Sequence, residues 1–298
     1  MKSPFDDAIL YDWEYRRRRQ DVAFYRLLAD ERGGPILDAG CGTGRLLVPL
    51  ARDGHLVVGI DRAPAMLARA AWRLGRAGRP ARRRALLARG DLGALPVARG
   101  RFALVIAAFH TIQHCESDDA LGAFLDGAAA ALIPGGWLAF DVFAPSSRFI
   151  ERRGLSGTTR FRHPRTGRLT AYRESHTLRP GPDGAAKPIL EMRFRYSDAL
   201  TEPGVAERSR RGRSKEPSRG SFPIGGGARA RVLSLRHRLW TPAEIDAALA
   251  RAGLTVIGRW SGFDGAPLGD PADSEQHVYL ARRGDPPGRP RAPRRRPR

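Results

Sequence analysis

Apolar and polar positions along this chain follow two different periods, and the two alternate through the first half. Across residues 6–32, Leu10, Trp13, Val22, Phe24, Tyr25, Leu27 and Leu28 supply apolar helix faces, with Arg16 to Arg19 as a solvated one. Short apolar runs then alternate with amphipathic stretches. PILDAG, LVVGI, FALVIAA and WLAFDVF read as strands, and RRALLAR as a weak one. GRLLVPLAR, PAMLARAAWRLGRAG and DDALGAFLDGAAAALI read as helices. Pro49 makes the first of these short or bent, because an interior proline removes a helix bond. Pro64 suits the first turn of the second, and Ser117 or Asp118 starts the third. Strands alternating with helices predict a parallel sheet covered on both faces.

The pattern changes after residue 145. TGRLTAYRESHTL and PILEMRFRYSD, within residues 158–198, show short alternating runs broken by turns, which predicts two or three antiparallel strands. ARVLSLRHRLW reads as a further strand. TPAEIDAALARAG reads as a helix with Thr241 as cap, Pro242 at the first position, Glu244 at the third and Gly253 as its stop. LTVIGRW and EQHVYLARR then close the first sheet. The expected organisation is an N-terminal helical cap over 1–33, a sheet domain from 34–145 and 238–283, an inserted antiparallel lid over 146–237, and a disordered basic tail over 284–298.

Composition changes the picture only at the edges. The 298 residues, 42% hydrophobic, suffice for an ordinary core. The net charge of +21 invites a nucleic-acid partner. Lysine, however, occurs only at positions 2, 187 and 215, so the basicity is almost all arginine, alongside abundant Ala, Gly and Pro. A GC-rich coding sequence produces that combination without selection for binding. The charge gathers in RRGDPPGRPRAPRRRPR and in the loose segment 201–231, neither of which can bury a core. A solvated polycation explains both, so nucleic acid is allowed by the charge but not favoured. The early acids and missing apolar core of MKSPFDDAILYDWEYRRRR do not suit a secretion signal. The longest apolar run is about eight residues, against the ~20 needed to span a bilayer. Cys41 and Cys115 offer neither a metal spacing nor a disulfide framework. The expectation is a cytoplasmic protein, monomer or homodimer, with no membrane contact and no metal.

The candidate chemistry lies in ILDAGCGTG, residues 36–44. An apolar strand ends in Asp38, and Gly40, Gly42 and Gly44 alternate after it. Bare glycines let backbone pass close to a bulky ligand. A helix expected to begin near Thr43 would aim its free N–H groups at the same place. The next apolar run ends in Asp61, an acid placed to hold two ribose hydroxyls. Together these residues describe a nucleoside-cofactor pocket. A dinucleotide fingerprint needs Gly or Ala where Arg45 stands, which argues against nicotinamide chemistry.

The D-x-G-x-G-x-G spacing from Asp38 to Gly44 resembles motif I of the class I S-adenosylmethionine-dependent methyltransferases. The resemblance continues through Asp61, through Met66 and Leu67 at the start of the second helix, and through GDLGALP, whose Asp91 matches the acid that reaches the adenine amino group. It covers 34–145 and resumes over 238–283. It implies a Rossmann-like α/β fold: a seven-stranded sheet, mostly parallel with the last strand antiparallel, helices on both faces, and an antiparallel β insertion above the cofactor. It also implies S-adenosyl-L-methionine as cofactor, held by Tyr11, Asp38, Gly40, Gly42, Gly44, Arg45, Asp61, Arg62, Met66, Asp91, Leu92 and Ala108.

Methyl transfer from a sulfonium requires alignment and dryness rather than an obligate catalytic residue. An attacking amine need only be neutral; a hydroxyl benefits from a base. His110 and His114, in AFHTIQHCES after the fourth strand, are the candidate bases, with satisfied structural histidines as the alternative. Tyr11 and Tyr15 resemble aromatics that close over the cofactor in related enzymes, or they pack a helix. Arg45 meets the cofactor carboxylate or is a solvated arginine; His237 reads as structural and Asp264 as a turn residue. No N-P-P-Y-like turn and no Pro–Cys pair follows the fourth strand, which sets aside DNA amino-methyltransferases and RNA cytosine-5 enzymes. The leading expectation is methylation of N or O on a small metabolite. Two others remain: an RNA or polyanion methyltransferase clamped by the basic segments, and a non-catalytic module built on the cofactor fold.

Overall fold

Strand-forming and helix-forming segments alternate over residues 36–143 in the computed structural model, which describes residues 3–145, 149, 158–181, 184–198, 230–270 and 274–284. In chain order the elements are α1 (Ala8–Tyr15), α2 (Gln20–Arg32), β1 (Ile36–Ala39), α3 (Leu47–Asp53), β2 (Val57–Asp61), α4 (Pro64–Gly75), α5 (Arg79–Arg84), β3 (Ala85–Arg89), β4 (Phe102–Ala107), α6 (Asp118–Ala131) and β5 (Leu132–Phe143). There follow β6 (Thr159–Arg162), β7 (Leu169–Gly181), β8 (Gly184–Asp198), β9 (Arg231–Arg238), α7 (Pro242–Arg251), β10 (Leu254–Trp260) and β11 (Gln276–Arg283).

Seven strands form the main sheet in the order β10-β11-β5-β4-β1-β2-β3. β1 pairs in parallel with both β2 and β4, whereas β11 runs antiparallel to β5 and to β10. The expected mostly parallel sheet with an antiparallel last strand is therefore present. Its central strands β1 and β4 are buried on both faces, as in a sheet covered twice by helices. Phe124, Leu125, Ile245 and Leu249 of α6 and α7 fill one side, and Tyr25, Leu28, Leu47, Leu50 and Leu74 of α2, α3 and α4 the other. A second sheet, β6-β7-β8-β9, is wholly antiparallel. It lays Phe161, Leu190, Met192, Phe194, Tyr196 and Leu233 against Leu10 of α1.

Several boundaries differ from expectation, each for a local reason. The N-terminal helix is two helices, broken between Tyr15 and Gln20, where the run of arginines offers no apolar face to bury. The helix after the glycines starts at Leu47 rather than near Thr43, because residues 42–46 form turns. It is only seven residues long, as Pro49 foretold. α5 carries arginines and no apolar period; only Ala81 is buried, so no pattern announced it. Leu132 and Ile133, read as the end of a helix, open β5. Ser117 caps α6 through Ala120 N–H, and Thr241 with Glu244 forms the expected capping box on α7. Most of the loose basic segment and the basic tail lie outside the described residues. Among those described, no helix is long and apolar enough to cross a membrane, and no three His, Cys, Asp or Glu side chains are grouped to hold a metal.

Candidate active site

β1 has β2 on one side and β4 on the other, so the winding of the sheet reverses there. Loops leaving neighbouring strand ends at such a point turn away from each other and open a crevice. A cleft of about 910 Å³, its open mouth included, lies at that position. Four strand ends contribute to it: Gly40 and Gly42 after β1, Asp61 and Arg62 at the end of β2, Asp91 and Leu92 after β3, and Ala108, Phe109, Thr111 and His114 after β4. Met66 comes from α4 and Tyr11 from α1. Ten of the sequence-predicted residues therefore meet in one cleft: Tyr11, Gly40, Gly42, Asp61, Arg62, Met66, Asp91, Leu92, Ala108 and His114.

The turn after β1 needs its glycines for different reasons. Gly40 has φ +75°, and a β-carbon there would lie 2.7 Å from the Thr111 side chain. Gly42 has φ +52°, and a β-carbon there would meet nothing within 4 Å. Gly40 permits the close approach of two loops; Gly42 leaves an open side. Gly42 N–H donates to Asp61 Oδ2 at 2.8 Å, and Ala63 N–H donates to Asp61 Oδ1 at 2.8 Å. Asp61 is thus locked at the strand end with further lone pairs to offer, and burial raises its carboxyl. Asp91 Oδ1 accepts from Gly93 N–H at 2.9 Å, which fixes the acid on its exposed loop.

Asp38, Gly44, Arg45 and His110 do not line the cleft. Asp38 is 2% exposed behind the glycines. Burial pushes its carboxyl up to about 7, and Oδ2 has no hydrogen-bond partner. A buried acceptor left bare is costly, so this atom suits a donor brought by a ligand. Gly44 faces Ala70 of α4, where an added β-carbon would lie 3.2 Å away; it serves helix packing. Arg45 is held by Asp21, at 2.8 and 2.5 Å, and lies over the Phe109 ring. Asp21 is 1% exposed and needs a cation, which is why Arg45 turns away from the cleft. His110 points instead at Gln276.

The cleft mouth is aromatic. Tyr11 packs on Tyr15 at 4.7 Å, Tyr15 on Phe109 at 4.8 Å, and Phe5 on His114 at 5.4 Å between ring centroids. Burial raises the Tyr11 and Tyr15 hydroxyls, so both stay protonated donors. Phe5, Phe109, Thr111 and Cys115 also line the cleft and were not among the sequence candidates. Thr111 and Cys115 sit inside the AFHTIQHCES loop, whose position after the fourth strand was a usable signal. Phe5 lies in a short 3-10 turn with no periodicity to mark it. His114 is held down to about 4 by burial, with Arg62 and His110 adding to the effect. His237 of β9 packs 4.9 Å from it, which joins the second sheet to the cleft. Gln113, fully buried, adds a second joint: its side chain bonds Phe143 N–H and C=O on β5 and the Arg238 carbonyl on β9. Asp264 accepts from Ala266 N–H, the turn role expected of it.

In sum, this arrangement offers an open backbone cradle, two acids at strand ends and one unanswered carboxylate oxygen beneath an aromatic rim, which suits a nucleoside that carries a positive charge. Comparison with known proteins agrees. The family described as "Methyltransferase domain" matches residues 36–136. The dTDP-3-amino-3,6-dideoxy-alpha-D-glucopyranose N,N-dimethyltransferase of Streptomyces fradiae is 30% identical over 65% of this chain and 78% of its own length. Among solved structures, an S-adenosylmethionine-bound amino pentose methyltransferase from Micromonospora echinaspora is 25% identical with a TM-score of 0.61, over 92% of this chain and 96% of that one. An S-adenosylmethionine-dependent methyltransferase from Clostridium acetobutylicum, 16% identical, shares the fold with a TM-score of 0.67 over 93% and 97%.

Proposed function

We propose that this chain, which belongs to the class I S-adenosylmethionine-dependent methyltransferases, methylates the nitrogen of a small polyhydroxylated amine of the amino-sugar kind. It is an enzyme that uses S-adenosyl-L-methionine and methylates N or O of a small metabolite. Nitrogen and the sugar character are the proposed part. They are supported by the Streptomyces fradiae relative, which acts on an amino sugar nitrogen and aligns over most of its length.

Bound S-adenosylmethionine supplies an electron-poor methyl group on a sulfonium sulfur. The residues present fit that cofactor. Asp61 would take the ribose hydroxyls and Asp91 the adenine amino group, with Met66, Leu92 and Ala108 against the base. The bare Oδ2 of Asp38 would answer the ammonium of the methionyl end. Gly40 and Gly42 leave the backbone room, and Tyr11 and Arg62 complete the wall. Gly44 and Arg45 act one step removed, by holding α4 and Phe109 in place. Phe5, Tyr11 and Phe109 exclude water, so that reacting atoms meet without a solvent shell. His114, kept neutral by burial, can accept a hydrogen bond or a proton from the acceptor.

The observation that carries this reading is the cradle itself: the open side of Gly42 and the unanswered Asp38 oxygen, at the reversal point of the sheet. A thermal-shift titration with S-adenosylhomocysteine tests it, since ligand that binds only the folded state raises the melting temperature. Millimolar ligand without a shift refutes the cofactor site. Turnover on nucleotide-linked amino sugars, followed by mass spectrometry, tests the acceptor; methyl transfer to their hydroxyl-only analogues alone would overturn the nitrogen assignment.

A further inference from the structure

Eight arginines converge on a second groove, beside the cofactor cleft. It is walled by α1, α2, α3 and α4 and measures about 1430 Å³, its open mouth included. Arginine makes up about one residue in six of the whole chain, but eight of the fifteen that line this groove. An arginine-rich composition scatters guanidiniums over a surface; it does not by itself gather them into one concavity. Among the described residues, Tyr11 alone lines both the groove and the cleft. Arg45, which turns away from the cleft, turns into this groove.

The charges in the groove do not balance. Arg26 is held by Asp53 at 2.6 and 2.7 Å, and Arg45 by Asp21 at 2.8 and 2.5 Å. Arg69 and Arg73 share Asp12, at 2.6 and 3.3 Å. The other four meet no carboxylate among the described residues. Arg16 donates to the Trp13 carbonyl and lies over that ring, and Arg18 donates to the Gln276 amide oxygen at 3.0 Å. Arg19 caps the start of α2 and Arg52 lies in the last turn of α3. Both are exposed, and neither side chain has a hydrogen-bond or ion-pair partner among the described residues. Three carboxylates thus answer eight guanidiniums. Burial first, and then the nearby Arg69 and Arg45, lower the basicity of Arg73 even with Asp12 beside it. A concave surface of one sign concentrates counter-ions, because its low-dielectric walls focus the field.

We infer that this groove is an anion site for a diphosphate group, either free or carried on a nucleotide. Guanidinium forks match phosphoryl oxygens two at a time, which chloride or a point charge does not exploit. The surplus charge exceeds what one carboxylate neutralises, and two linked phosphoryl groups supply both the charge and the acceptors. The volume suits a nucleotide-sized molecule. Arg19 and Arg52 are the guanidiniums with all their donors to offer, and the paired arginines present their remaining N–H groups around them. The site is separate from the cofactor cradle, and it does not depend on which methyl acceptor the enzyme takes.

Isothermal titration of the full chain with inorganic diphosphate, at constant ionic strength, tests the inference. Saturable binding is expected, and it should persist when S-adenosylhomocysteine is present at saturation. Displacement by S-adenosylhomocysteine would put the anion in the cofactor cleft and overturn the assignment. Arg19→Gln with Arg52→Gln should weaken binding at least about tenfold, the loss that follows from removing charge-assisted hydrogen bonds. Arg82→Gln with Arg83→Gln removes the same charge from α5, outside the groove, and should change affinity by less than about twofold. All four side chains are exposed, so both variants should fold. Equal losses in the two variants, or unchanged binding in the Arg19 and Arg52 variant, would show a diffuse polycation and sink the site. Titration with a nucleoside diphosphate then identifies the source of the anion: tighter binding than inorganic diphosphate marks a nucleotide site, and equal or weaker binding marks a site for the free anion. Failure of S-adenosylhomocysteine to bind would refute the cofactor reading and leave the diphosphate result to be judged by the two arginine variants alone.

Discussion

Asp61 combines two tasks in one side chain, and substitution should separate them. Its two oxygens hold Gly42 N–H and Ala63 N–H, so Asp61→Ala leaves two backbone donors unanswered. The expected cost is about 1–3 kcal/mol, by urea denaturation. The variant should also lose the melting shift with S-adenosylhomocysteine altogether. Asp38 makes a pH-dependent prediction. Its carboxyl has an ordinary value of 3.8 and is pushed up to about 7 by burial in the fold. Between those values the folded state holds a proton that the unfolded chain has released. Its contribution to stability is therefore greatest at low pH and declines as pH rises from about 4 to about 7. Asp38→Asn keeps the shape and cannot titrate, so the wild-type-minus-variant stability should fall across that window and stay level outside it. Equal pH profiles for the two proteins would show that Asp38 is an ordinary carboxylate. The Asp38 and Asp61 positions were legible because each ends an apolar run. That Arg45 would serve Asp21, 24 residues earlier in the chain, was not, because nothing local marks which acid a given arginine meets.

The turn between β1 and α3 behaves as one element, and its glycines should fail differently. Gly40→Ala puts a methyl 2.7 Å from Thr111 in a left-handed conformation. Overpacking of that kind costs typically about 1–3 kcal/mol, to which the backbone penalty adds. Gly42→Ala meets no atom and carries only the backbone penalty of ~1–2 kcal/mol. Its methyl points into open space at the cleft, so cofactor affinity should fall far more than stability. Calorimetric titration beside urea denaturation separates the two effects. Equal losses in both measurements for both variants would contradict the assignment of one glycine to packing and the other to the ligand. At this scale the sequence spoke clearly where periodicity was strong, as in α4, α6, α7 and the apolar strands. It was silent for α5, whose arginines carry no apolar period, and it ran α1 and α2 together across Arg16 to Arg19.

For the whole molecule, the question is whether the charge of +21 takes part in the reaction. A chain ending after Gly284 should retain kcat/KM on a small acceptor within about twofold. Activity should also change little between about 50 and 200 mM salt. An RNA or polyanion acceptor instead predicts a steep fall across that range, because each neutralised phosphate releases counterions. Loss of activity on shortening, together with a steep salt slope, would restore the polyanion reading.

What the amino-acid sequence determined by itself was local: strand and helix alternation, the bare turn from Asp38 to Gly44, the acid at Asp61 and the antiparallel insertion. Each is written in the spacing of a few neighbouring residues, where backbone sterics and burial act directly. Only the tertiary structure decided which side chains share a bond across distance. Gln276 meets Asp141 from 135 positions away and His110 from 166. His237 reaches His114 from the second sheet. Such meetings depend on how two sheets and the N-terminal helices pack, a sum of many weak contacts that no short stretch of sequence contains.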